Sequence, residues 1–159
     1  MERRLTEERI TRRLLKWLIE KGWQILSYDY PQSGTGLALH SKDRAMGSKN
    51  IGAIIPDIIA VKAGIVLFFE NKVDFNIIDI EALTLLKHSG LYDLSIQELL
   101  KIIGPVEHMY FGIALKNSPK NKDKICKNEE MLDFALLVDD DLSVNKFFDR
   151  GVSIEHEDD

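Results

Sequence analysis

Two short apolar runs, separated by a three-residue linker, constrain the fold of this chain more than any other feature. The runs span residues 54–61 and 65–73 and are rich in Ile, Val and Phe. Runs this apolar and β-branched, divided by a turn that contains Gly64, predict a β-hairpin. If Ala63-Gly64 is the loop, the numbers of facing residues sum to 127. A four-residue loop gives the same register, whereas a loop of three or five residues breaks it.

This register places three charged side chains at one end of the hairpin. Asp57 lies opposite Glu70, and facing residues have Cβ atoms roughly 4.5–5.5 Å apart. Lys72 is two positions beyond Glu70 and therefore shares its face of the strand. Apolar residues on both faces of the two runs predict a buried hairpin, where charge is costly without a partner. A solvated charged surface is the alternative interpretation.

Two carboxylates held face to face repel each other, and a divalent cation is the simplest partner for them. Carboxylate oxygens suit Mg²⁺, which takes one or two carboxylates and keeps several waters. Lys72 beside them can orient a water nucleophile or stabilise developing negative charge. The residues alone therefore favour a magnesium site over an unexplained buried charge cluster.

Pro56-Asp57, followed by Glu70-Asn71-Lys72 thirteen positions after the aspartate, resembles the PD-(D/E)XK nuclease signature. That superfamily includes type II restriction endonucleases, Holliday-junction resolvases and repair nucleases. The resemblance implies that Asp57 and Glu70 bind Mg²⁺, for which Mn²⁺ substitutes. It also implies that Lys72 assists the attacking water and that the Asn71 backbone carbonyl is a further metal ligand.

A first helix is predicted from Thr6 to Lys21, with Thr6 as its N-cap. Some members of the superfamily add a glutamate from the first helix to the metal site, and Glu7 and Glu8 are the candidates here. Glu20 is a more distant candidate at the other end of the helix. Acids at a helix start also complement its dipole, which is the alternative explanation for Glu7 and Glu8.

The remaining patterns predict the element order α-β-β-β-α-α-β-β-α. The predicted strands are 23–30, 54–61, 65–73, 108–115 and 131–138, and the predicted later helices are 77–88, 95–104 and 143–149. Asn76 and the capping box from Ser95 to Glu98 mark two helix starts, and residues 116–128 are predicted to be a polar basic loop. The fold class is α/β with a restriction-endonuclease-like core, a mixed central β-sheet of about five strands flanked by α-helices. The agreement with the topology that the resemblance implies covers roughly residues 6–116.

Length and composition predict one soluble intracellular domain over residues 1–159. No stretch approaches the ~20 apolar residues of a membrane span, so no membrane association is expected. The single cysteine, Cys126, excludes an intramolecular disulfide. We expect a cytoplasmic protein of a prokaryote or phage host, with a disordered acidic tail over residues 155–159.

The net charge of −5 conceals two basic segments. Residues 1–50 carry ten Lys or Arg and six Asp or Glu, and residues 116–128 carry five and one. Phosphate binding needs a local basic surface and not a basic protein. The long loop from Pro31 to Gly52 is predicted to clasp DNA, and solvated surface is the alternative. The predicted DNA-contacting residues in this loop and the first helix are Lys42, Arg44, Lys49, Arg12 and Arg13, with Arg9 a further candidate.

The favoured function is a Mg²⁺-dependent endonuclease that cuts double-stranded DNA. A small type II restriction endonuclease acting as a homodimer is preferred, because one motif per chain cuts one strand. The alternatives are a structure-specific nuclease such as a junction resolvase or repair enzyme, a non-catalytic DNA- or protein-binding domain with the same fold, and an unrelated α/β protein.

Overall fold

A computed structural model of the chain describes residues 4–31, 33–40 and 53–155, and its fold is α/β. The helices are α1 (Glu7–Glu20), α2 (Ile77–His88), α3 (Asp93–Ile103) and α4 (Pro119–Lys127). The strands are β1 (Gln24–Tyr28), β2 (Ile58–Lys62), β3 (Ile65–Asn71), β4 (His108–Lys116), β5 (Phe134–Val138) and β6 (Val144–Asp149). None of the described helices is long and apolar enough to cross a membrane.

The strands form one mixed sheet in chain order, β1-β2-β3-β4-β5-β6. The first three strands are an antiparallel meander, β3, β4 and β5 run parallel, and β6 returns antiparallel to β5. The predicted α/β class with a helix-flanked mixed sheet is confirmed. The sheet has six strands where about five were expected.

The central hairpin has the predicted register. Ile58 faces Phe69 and Lys62 faces Ile65, so facing numbers sum to 127 along the whole ladder. Ala63 and Gly64 both have positive φ, 48° and 81°. Two consecutive residues with positive φ form a type I′ turn, whose twist matches that of the two strands it joins.

The helices cover the two faces of the sheet unequally. Residues Ile10, Leu14 and Leu18 of α1 pack on one face, which we call the α1 face. The other three helices pack on the opposite face through the residues Ile80, Leu83, Leu86, Ile96, Leu99 and Ile125. Ile58 and Phe69 point to the α1 face, whereas Ile59 and Phe68 point to the other. The hairpin is therefore buried on both faces, as its sequence predicts.

The polar residues discussed below lie at one end of the strands, and we call this end of the sheet the carboxyl edge. It is the edge at which the parallel strands β3, β4 and β5 end. Because β2 runs antiparallel to β3, Asp57 also lies there, just before β2 begins. Helices α2 and α4 each follow one of the parallel strands and therefore begin at the same edge.

Two predicted elements were wrong in type. Residues 116–128 are not a loop, because α4 occupies most of them, with Ser118 accepting a hydrogen bond from the Asn121 backbone N–H as its N-cap. The predicted helix 143–149 is strand β6, since the preceding acids form a tight turn in which the Leu142 N–H donates to the Asp139 carbonyl over 2.8 Å. Leu142 has φ 69°, which is turn geometry and not helix.

Smaller differences concern helix starts and chain ends. Thr6 and Asn76 cap α1 and α2 as predicted. The predicted capping box at Ser95 was wrong, because α3 begins at Asp93 and the Ser95 hydroxyl instead accepts a hydrogen bond from the His40 backbone N–H. Of the expected disordered tail, Glu155 is described and pairs with Lys146 over 2.7 Å, and residues 156–159 lie outside the described residues.

Candidate active site

The backbone of the hairpin brings Asp57 to the side of Glu70. The Asp57 backbone N–H donates to the Phe69 carbonyl over 2.9 Å, which extends the ladder by one pair beyond β2. The Asn71 backbone N–H in turn donates to the Asp57 Oδ2 over 2.7 Å. These two bonds hold the Asp57 carboxylate against β3, within hydrogen-bonding reach of the Glu70 side chain.

Burial and mutual repulsion make ionisation of this carboxylate pair costly. Burial raises the pKa of Asp57 to about 7, against the lowering effect of the hydrogen bond from Asn71. Glu70 is 9 % exposed, and burial together with the Asp57 charge raises its pKa well above the ordinary value. A pair of this kind is stable as two carboxylates only if positive charge lies close by.

Lys72 supplies one positive charge at the site, and α1 holds it there. Its ammonium lies 2.6 Å from the Glu7 carboxylate in the first turn of α1. The hydrogen bond to Glu7 raises the pKa of Lys72 above its ordinary value. Lys72 therefore stays protonated, and its charge is shared between Glu7 and the carboxylate pair.

Asp79 is a further acid at the site that the sequence analysis did not assign. It lies in the first turn of α2 and lines a small cavity together with Glu70, Lys72 and Phe75. Burial raises its pKa, and its Oδ2 is buried without a hydrogen-bond partner. The sequence signal for Asp79 is weak, because an acid at the third position of a helix has an ordinary capping explanation.

Asn71 contributes its side chain to the opposite face of the strand. The side chain is fully buried, and its Nδ2 donates to the Thr11 Oγ1 of α1 over 3.1 Å, while its Oδ1 has no partner. This bond, with the pair between Glu7 and Lys72, fixes α1 against the end of β3. The resemblance implies that the Asn71 backbone carbonyl is a metal ligand, and Asn71 is the last residue of β3, at the carboxyl edge.

The residues at this edge fit a hydrated divalent cation. Glu7 and Asp29 add to the negative charge that raises the pKa of Asp57, and the positive charge of Lys72 lowers it. Within the described ranges no group of three or more His, Cys, Asp or Glu side chains is arranged to hold a metal ion. The candidate side-chain donors are the carboxylates of Asp57 and Glu70, and a site in which water completes the shell around one or two carboxylates is typical of Mg²⁺.

The other predicted residues lie away from the carboxylate pair. Glu8, a candidate metal ligand, pairs instead with Arg12 over 3.0 Å on the exposed side of α1. Arg13 donates to the Leu142 carbonyl over 2.8 Å and so anchors the turn before β6. Glu20 is 4.0 Å from Arg13, at the far end of α1. The predicted phosphate-binding residues Lys42, Arg44 and Lys49 lie outside the described residues.

The basic face of α1 borders an open groove of about 790 Å³, which the turn before β6 closes on its other side. Arg9, Arg12, Arg13 and Lys16 line it, with Glu8 and Glu20 among them. Arg12 also stacks on the Tyr30 ring, 5.4 Å from the ring centroid. The groove therefore carries positive charge that its own acids partly neutralise.

No family model, curated protein or solved structure matches this chain.

Proposed function

We propose that this protein is a Mg²⁺-dependent DNA endonuclease. The observation that carries the proposal is the buried pair of Asp57 and Glu70 beside the Lys72 ammonium at the carboxyl edge. Two carboxylates with raised pKa values and one lysine have no evident structural purpose there, because apolar residues would fill the same place at lower cost. The same three residue types in the same chain order carry the resemblance to PD-(D/E)XK nucleases.

Asp57 and Glu70, with the Asn71 backbone carbonyl, would hold the cation, and Mn²⁺ would substitute for Mg²⁺. When bound, the cation supplies charge that polarises the scissile phosphate and lowers the pKa of a water ligand. Its binding also relieves the repulsion between the two carboxylates, so the free energy of binding and the stability of the fold are linked.

Lys72 acts on the water and on the phosphate. Its ammonium can donate a hydrogen bond to the attacking water, or to a phosphate oxygen on which negative charge develops. Glu7 holds the ammonium in place through the 2.6 Å contact, so the lysine does not have to be ordered at the moment of reaction. Asp57 keeps its orientation through the hydrogen bond from the Asn71 N–H.

Among nucleases we favour a type II restriction endonuclease that acts on double-stranded DNA as a homodimer in the cytoplasm. The sequence carries one such motif, and its site would cut one strand. A symmetric cut in both strands of a duplex therefore requires two chains related by a two-fold axis.

Digestion of mixed plasmid and phage DNA with Mg²⁺ tests the proposal. We expect discrete fragments from the wild-type protein, loss of cutting with EDTA, and loss of cutting in Asp57→Asn and Glu70→Gln. Asp74→Asn is the matched control, because Asp74 is an exposed acid two residues beyond Lys72. Cutting of branched substrates alone would indicate a junction resolvase. Binding without cutting under all conditions would indicate a non-catalytic domain and would contradict the proposal.

A further inference from the structure

Helix α4 begins next to the candidate active site. It follows β4, which ends at Lys116 on the carboxyl edge beside the end of β3. The first turn of α4 therefore lies beside the end of β3, and Lys124 in its last turn lies near Phe75. Ile125 and Asn121 are the residues that α4 buries, and most of its remaining surface faces solvent.

Asn121 fixes α4 to the chain segment that follows Lys72. Its Nδ2 donates to the Val73 carbonyl over 2.9 Å and to the Lys116 carbonyl over 2.8 Å. Its Oδ1 accepts a hydrogen bond from the Phe75 backbone N–H over 3.0 Å. The side chain is fully buried. Because two of these bonds go to Val73 and Phe75, they hold the first turn of α4 against the segment that follows Lys72.

The charge on the first turns of α4 opposes helix stability. Positive side chains near a helix N-terminus are disfavoured by the helix dipole. Helices α1, α2 and α3 each carry an acid in the first turn. Helix α4 carries none there, and Lys120 and Lys122 are among its first four residues. Its one acid, Asp123, pairs with Lys127 over 3.0 Å. Lys120, Lys122 and Lys124 have no acidic partner within the part of the chain that the structure describes.

A lysine and an aromatic ring connect this basic surface to the site. The Lys124 ammonium lies 5.9 Å from the centroid of the Phe75 ring. Phe75 lines the small cavity that also contains Glu70 and Lys72. The three lysines therefore lie on a helix whose start is beside the candidate active site, with Lys120 and Lys122 exposed and Lys124 half-buried, and Glu129 and Glu130 follow α4 at its far end.

We propose that α4, through the exposed Lys120 and Lys122 and the half-buried Lys124, binds the phosphate backbone of duplex DNA beside the bond that is cut. This inference rests on the proposed nuclease function and adds the surface along which the substrate lies. Lysine ammonium groups contact phosphates without reading the bases. Their placement on a helix that Asn121 locks to the end of β3 would set the distance between the held phosphates and Lys72.

A charge-matched pair of double variants tests the inference. Lys120→Gln with Lys122→Gln removes two charges from α4, and Lys21→Gln with Lys101→Gln removes two from the C-terminal ends of α1 and α3, where Lys21 is the C-cap of α1 and Lys101 lies in the last turn of α3. Glutamine is about as good a helix former as lysine, so the helices are retained. Affinity for a labelled duplex is measured by fluorescence anisotropy over a range of salt concentrations, with Ca²⁺ in place of Mg²⁺ to block cutting.

The α4 variant is expected to lower the slope of log affinity against log salt by about 1.8, which corresponds to roughly ten- to thirtyfold weaker binding near 0.15 M salt. The control variant should keep the wild-type slope. Equal loss in both variants, or no loss in either, overturns the inference, as does a loss confined to duplex RNA. Cutting by the wild-type protein with Mg²⁺ is scored separately, so a nuclease whose α4 lysines are dispensable is distinguished from a protein that is no nuclease.

Discussion

The Lys72 ammonium and the Glu7 carboxylate lie 2.6 Å apart and join two segments that are 65 positions apart in the chain. The contact connects the last charged residue of the central hairpin to the first turn of α1. It makes α1 part of the candidate active site as well as part of the core. The neighbouring acid, Glu8, points to the exposed groove and pairs with Arg12.

Glu7→Gln tests the contact between Glu7 and Lys72, and Glu8→Gln is the matched control. Loss of the carboxylate removes the interaction that orders Lys72 and raises its pKa, so cleavage should fall roughly ten- to a hundredfold, as is typical for residues that position a catalytic group. Glu8→Gln should cut DNA at nearly the wild-type rate. Both variants are scored by initial cleavage rate at saturating Mg²⁺. Equal rates in the two would mean that Glu7 has only a structural role.

Removing one carboxylate of the buried pair should stabilise the protein in the absence of metal. Asp57→Asn or Glu70→Gln removes a like charge from a site where burial already disfavours ionisation. Thermal unfolding in EDTA is expected to show a higher Tm for both variants than for the wild type. Asp123→Asn, at an exposed ion pair, is the control and should change the Tm little.

Addition of Mg²⁺ should reverse the order of these stabilities. A ligand that binds only the folded state stabilises it by RT ln(1 + [L]/Kd), so the stabilisation grows with the logarithm of ligand concentration once the site is mostly occupied. The wild-type Tm should therefore rise with Mg²⁺, whereas the Tm values of Asp57→Asn and Glu70→Gln should not. A wild-type Tm that is insensitive to both Mg²⁺ and Mn²⁺ would contradict the metal site.

The metal-free protein should lose stability as the pH rises from about 4 to about 7. The pKa of Asp57 is about 7 in the folded state against an ordinary value of 3.8, so the folded state binds more protons between these values. The free energy of unfolding then decreases with rising pH in that window, and the raised pKa of Glu70 adds to the decrease. Each unit by which the pKa in the folded state exceeds the ordinary value corresponds to about 1.4 kcal/mol in the free energy of unfolding. Urea unfolding in EDTA measures the slope, and Asp57→Asn should make it shallower.

Asp133 should be important for stability although it lies outside the site. It is 5 % exposed, and its carboxylate accepts hydrogen bonds from the Lys87 ammonium and from the Phe111 backbone N–H, the latter over 2.9 Å. Asp133→Ala leaves the Phe111 N–H buried without a partner and should cost roughly 1–3 kcal/mol. Lys87→Met keeps that backbone bond, and chemical denaturation should show a smaller loss. A larger loss in Lys87→Met would show that the ion pair and not the backbone bond is dominant.

The arrangement of Asp57, Glu70 and Lys72 could be predicted because it depends on local rules. Side chains alternate along a strand, and a turn of two residues leaves one register for the hairpin. The positions of Glu7 and Asp79 beside Glu70 and Lys72 could not be predicted in the same way. It depends on how α1 and α2 pack across the sheet, which hydrophobic periodicity does not specify.

The two wrong elements have physical causes of their own. Helix α4 buries only Asn121 and Ile125, so its apolar stripe is too narrow to appear as a periodic pattern. Strand β6 is an edge strand with no fully buried residue, and its alternation is correspondingly weak. The acids before it resemble a helix start, although Asp139 instead accepts hydrogen bonds from the side chains of Asn117 and Asn145.

Both tryptophans of the chain, Trp17 and Trp23, are buried on the α1 face. Tryptophan fluorescence will therefore report on that face, whereas circular dichroism reports on helices from both faces. The two spectroscopic transitions coincide if the molecule unfolds as one cooperative unit. A fluorescence change that precedes the loss of ellipticity would reveal an intermediate in which α1 has separated from the sheet, and Glu7 would have left Lys72 with it.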